Sequence, residues 1–64
     1  MAYGFQIKTV KKISDIEDKL DQSGITNYEV EFVGFDNEKK IVNFYFDSEQ
    51  SKNHAMKIIQ NFNK

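Results

Sequence analysis

Tyr28-Glu29-Val30-Glu31-Phe32-Val33-Gly34-Phe35, Asp36-Asn37-Glu38-Lys39-Lys40 and Ile41-Val42-Asn43-Phe44-Tyr45-Phe46 form one continuous stretch, and its reading decides the fold. The outer parts alternate with period two, and the middle is a polar run. Tyr28, Val30 and Phe32 fall on one side against Glu29, Glu31 and Val33, and Val42, Phe44 and Phe46 oppose Ile41, Asn43 and Tyr45. Two alternating apolar runs joined by a short polar loop read as a β-hairpin. A register with Phe35 opposite Ile41 sets Phe32 against Phe44 and Val30 against Phe46. It makes one hairpin face wholly apolar.

Helical signals flank this hairpin. Upstream, Ser14-Asp15-Ile16-Glu17 has the spacing of a capping box, with Ser14 as N-cap. Ile13, Ile16 and Leu20 then share a stripe at helical spacing, and Gly24 stands where a helix stops. Downstream, Asp47 or Ser48 caps a helix over Glu49 to Phe62, with Ala55, Ile58, Ile59 and Phe62 as its apolar stripe. Farther upstream, Tyr3 to Val10 alternates again, with Tyr3, Phe5 and Ile7 on one side.

The order is β-α-β-β-α in one α+β domain over residues 1–64. A right-handed crossover makes the first and second strands parallel. Placing the third between them gives a three-stranded antiparallel sheet of order 1-3-2 with both helices on one face. That is a ferredoxin-like topology lacking its last strand. The alternative is an αββα unit whose first segment is irregular.

A chain of 64 residues buries only roughly 60% of its unfolded surface, and its core rarely supplies more than about 3–5 kcal/mol. It has no cysteine and one histidine, which excludes disulfides, thiolate metal sites and a histidine cluster. Idealised packing or oligomerisation is left as the reserve of stability. The cysteine-free composition suits the cytoplasm. Met1-Ala2-Tyr3-Gly4-Phe5 lacks the basic and apolar regions of a signal peptide, and no run approaches membrane-span length. The net charge of −1 provides no strong pull towards nucleic acid or acidic lipid. Every basic residue is Lys, so the planar fork of Arg that reads guanine is missing. Lys, Asn, Ile, Phe and Tyr in abundance, with no Arg, Pro or Trp, suit the AT-rich genome of a bacterium or phage.

The strongest functional candidate is the sheet face away from the helices. Val33, Phe35, Ile41 and Tyr45, with Asn43 between them, form an apolar patch there that no remaining segment covers. Such patches mark protein partners or self-association. The competing reading is a modest patch shielded by Lys and Glu stems. The edge of strand 1 is a second candidate, because unpaired backbone groups invite strand addition. Lys8, Lys11 and Lys12 equally read as protection of that edge.

Lys8, Lys11, Lys12, Lys39 and Lys40 gather at one end of this topology, beside the first helix N-terminus, as a candidate anion site. Asp15, Glu17, Asp36 and Glu38 interrupt that charge. Tyr45 and Phe35 on an open sheet are placed to stack bases, although the aromatic glycine-rich signature of RNA-recognition sheets is missing. Asp15, Glu17, Asp18 and Asp21 make an acidic arc on the first helix, more simply read as a solvated face. No catalytic constellation emerges. His54 and Ser51 lack a third member, and Glu29 with Glu31 is too small a set for a metal. The chain reads as a small non-catalytic protein-binding domain without cofactor. A regulator or inhibitor acting by surface contact, or a homodimer, fits this reading. The alternative is a nucleic-acid-binding module using the lysine end.

Overall fold

The computed structural model describes residues 2–63. Strands β1 (Tyr3–Thr9), β2 (Tyr28–Asp36) and β3 (Lys39–Phe46) and helices α1 (Ile13–Gln22) and α2 (Glu49–Phe62) follow in the order β1-α1-β2-β3-α2. The sheet has three strands in the order β1-β3-β2, and β3 runs antiparallel to both neighbours. The topology is the one the hydrophobic periodicities and the crossover rule require.

The core lies between one sheet face and the two helices. Val42, Phe44 and Phe46 of β3 are buried against Ile16 and Leu20 of α1 and Ala55 and Ile59 of α2. β3 is central, so its alternate residues meet both helices. Phe5, Ile7, Tyr28 and Val30 close the flanks of this cluster. Phe5 stacks on Phe44 and Phe46, with ring centroids 5.8 and 5.7 Å apart. No helix of the described residues is long and apolar enough to cross a membrane.

The helix ends are specified locally. Ile25 N–H donates to the Leu20 carbonyl and Gly24 N–H to that of Asp21, at 2.9 and 3.0 Å. Gly24 has φ +82°, and Leu20 and Ile25 are both buried, which completes a Schellman stop. Ser48 caps α2 by accepting from the Ser51 N–H at 3.1 Å. The capping box expected at Ser14 does not form. α1 begins at Ile13, two residues earlier than a Ser14 cap would set it, with Lys12 as an N-cap that makes no side-chain cap bond. Ser14 and Glu17 therefore lie within the helix.

The hairpin differs from expectation in register and turn. Its turn is Asn37-Glu38 rather than 36–40, with Asn37 at φ 58°, a conformation Asn tolerates better than most residues. Val30 faces Phe44, Phe32 faces Val42 and Tyr28 faces Phe46. Between Phe32 and Gly34 the ladder slips, and Val33 is the extra residue of a β-bulge. Beyond the bulge, Gly34 opposes Ile41 and Phe35 opposes Lys40, so the expected Phe35–Ile41 pair does not exist.

Candidate interaction surface

The bulge redistributes the predicted patch. Lys40 shares its face with Val42, Phe44 and Phe46, the side that the helices cover. Phe35, opposite Lys40, therefore joins Phe32 on that side, and their rings meet edge to face at 5.3 Å. Val33, Phe35, Ile41 and Tyr45 do not form one patch. Ile41 and Tyr45 stay on the open face with Asn43 between them, and Phe35 leaves it.

The open face is a polar ladder instead. Gln6 Nε2 donates to Asn43 Oδ1 at 3.0 Å, and Asn43 Nδ2 donates to Glu31 Oε1 at 3.0 Å. Tyr45 Oη donates to the same Glu31 oxygen at 2.9 Å. These bonds cross the whole sheet from β1 to β2. They hold the Glu31 carboxyl below its usual pKa, the Asn43 bond contributing most, and push the Tyr45 phenol up through its bond to Glu31. Tyr45 also lies against Gly4, where an added Cβ would sit 2.9 Å from its ring and 2.6 Å from the Phe44 carbonyl oxygen. An aromatic ring thus covers the gap that glycine leaves in the strand.

The lysines predicted to gather are divided. Lys8 on the open face pairs with Asp36 at 2.7 Å, which lowers the Asp36 pKa. Lys39 opposes Asp36 across the turn. Lys40 reaches the Val10 carbonyl at 3.5 Å. Lys11 lies over the Phe62 ring at 5.2 Å, and Lys12 is the exposed N-cap of α1. Lys8 and Lys39 do share a shallow depression beside Val10, but Asp36 and Glu38 line it too. Anion recognition gains no concentrated positive field from this arrangement.

The edge of β1 is less open than its sequence suggests. Asn63, just past α2, donates to the Lys8 carbonyl at 3.0 Å, and its other side-chain atom meets the buried Thr9 hydroxyl. Thr9 also accepts from the Lys11 N–H at 3.0 Å. The C-terminal part of β1 is thereby tied down by the end of α2.

The most exposed apolar group lies at the other edge. Phe32, Val33 and Phe35 are 49%, 51% and 67% exposed, and none belongs to the hydrophobic cluster. They sit on β2, which among the described residues pairs with β3 alone. The periodicity of the sequence does not reveal this patch. Gly34 inside a strand was the available sign, because an isolated glycine there often marks a bulge.

His54 is exposed and lines a polar cleft with Asn27, Asp47 and Ser51. Asp47 accepts from Asn27 Nδ2 at 2.8 Å, and the Ser51 N–H is used by the Ser48 cap. Among the described residues no three or more His, Cys, Asp or Glu residues gather around a candidate metal position. Comparison of the chain with protein-family models, curated proteins and solved structures finds no match.

Proposed function

We propose that this chain is a non-catalytic protein-binding domain that engages its partner through Phe32, Val33 and Phe35 on β2. One observation carries the reading: a bulge sets Phe35 beside Phe32, two exposed phenylalanines, on one face of an edge strand. Bulges re-aim side chains, and exposed aromatic residues are enriched in the buried cores of protein interfaces. A solvated face alone needs neither ring.

Acting by surface contact, the protein is a regulator or inhibitor. Its Arg-free, Cys-free composition suits the cytoplasm of a low-GC bacterium, or a phage or mobile element within one. Self-association through the same residues is the nearest variant of this reading, and sedimentation over a range of concentrations distinguishes it. Nucleic-acid binding has less support, because Glu29 and Glu31 share the open face and Glu31 holds the Tyr45 hydroxyl.

The experiment is selection of random displayed peptides on the wild-type protein, followed by rescreening on Phe35→Ser. Selected ligands are expected to lose binding to the variant while its circular dichroism stays native. Ligands that bind both proteins equally would overturn it.

A further inference from the structure

The edge strand β2 has a chemical asymmetry that its aromatic patch alone does not explain. From Tyr28 to Phe32 its ladder with β3 is regular, and its other side has no strand neighbour among the described residues. Tyr28, Val30 and Phe32 follow one another on the helix side of this segment, while Glu29 and Glu31 stand on the open side. β2 contains no lysine. Across the helix side, α1 brings Glu17, Asp21 and Asp18 close enough to act on the Tyr28 phenol. Burial first, and then these carboxylates, push that phenol up to about 12. Lys19 of α1 lies over Phe62 of α2. The unpaired edge is thus flanked by carboxylates on both sides and has apolar groups along its length.

We propose that the β2 edge accepts an extended, basic amphipathic segment of a partner protein as an added strand along Tyr28–Phe32. This names the partner chemistry for the surface proposed above and rests on that reading. The backbone of the segment pairs with the outward N–H and C=O groups of β2. Its apolar residues run along Tyr28, Val30 and Phe32, and its Lys or Arg residues alternate beside Glu29 and Glu31. The bulge at Val33 ends the pairing, and Phe35 beside Phe32 packs against the terminal apolar residue. A second copy of this chain is a poor occupant. Antiparallel β2 against β2 sets carboxylates near carboxylates, and like charges across strands repel. The β1 edge is a poor site for the same segment, because it presents Lys8 and its Lys8 carbonyl is already bonded.

The test uses a short synthetic peptide alternating Lys with Val, its block isomer of identical composition, and its N-methylated form. Affinity is read by fluorescence anisotropy and position by amide shifts of the labelled protein. The alternating peptide is expected to shift amides within Tyr28–Phe35. N-methylation and blockwise order should each weaken it about tenfold or more, since each removes the strand pairing or its facial match. Glu29→Lys should weaken it by a smaller factor, about two- to fivefold. Glu29 makes no side-chain hydrogen bond among the described residues, and Glu29→Gln is the milder check on folding. Equal binding of the N-methylated or block peptide, shifts confined to β1, or concentration-dependent self-pairing at β2 would overturn the inference. If displayed ligands depend on Phe35 but are acidic or helical, protein binding stands and this inference alone fails.

Discussion

Replacing Phe35 with serine should weaken this protein but leave it folded, whereas replacing Phe44 with alanine should unfold it. Phe35 is 67% exposed, so about a third of the residue's surface is removed from water. A fully buried aromatic side chain hides about 150–250 Å², so this share is about 50–80 Å². At about 25 cal/mol per Å² that burial is worth about 1–2 kcal/mol, with the contact to Phe32 supplying about 0.5–1.5 kcal/mol within or beside it. Phe44 is 0% exposed and packs against Phe5 and Tyr28. Phe→Ala at such a site costs about 3–5 kcal/mol, which is the whole stability of a domain this small. Urea titration followed by circular dichroism distinguishes the two. With a slope of about 1 kcal/mol per molar, Phe35→Ser lowers the midpoint by about 1–2 M and leaves a folded baseline. Phe44→Ala shows no such baseline. Equal loss of folding in both variants would refute the division between core and binding surface.

Two further outcomes probe the frame that holds this surface. Gly4→Ala should destabilise the fold by about 1–3 kcal/mol, because the new Cβ meets the Phe44 carbonyl oxygen at 2.6 Å, where backbone cannot yield; the urea midpoint checks it. Tyr28 in the folded state holds its proton up to about pH 12, against 10.0 for an ordinary phenol. The folded state binds more protons between those values, so this contribution to stability is complete below pH 10 and is lost as pH rises through about 12. Tyr28→Phe should flatten that part of the stability profile, measured by urea titration across alkaline pH.

Strand and helix placement was legible because each element has one clear apolar period. Val42, Phe44 and Phe46 mark a central strand, and Leu20 with Gly24 marks a helix end. The order β1-β3-β2 then follows from chain handedness and the shortness of the hairpin connection. The register was not legible, because it depends on one residue. Val33 and Phe35 alternate acceptably with Phe32 and Gly34 in an unbroken strand. Only the observed pairing shows that Val33 is extra and that Phe35 turns to the helix side. Nor does the sequence show that Glu31 is the acceptor that ties Asn43 and Tyr45 together. The lysine end dispersed for a different reason. Sequence places Lys8, Lys11 and Lys40 near one another but does not say that Asp36, Phe62 and the Val10 carbonyl each take one of them. A side chain that has two available neighbours is assigned by packing, which period and charge do not encode.

The most direct test of the central claim is an amide chemical-shift map of the labelled protein with a peptide selected on it. The largest changes are expected at Phe32, Val33 and Phe35 of β2. Changes centred on Gln6, Asn43 and Tyr45 of the open face would contradict it.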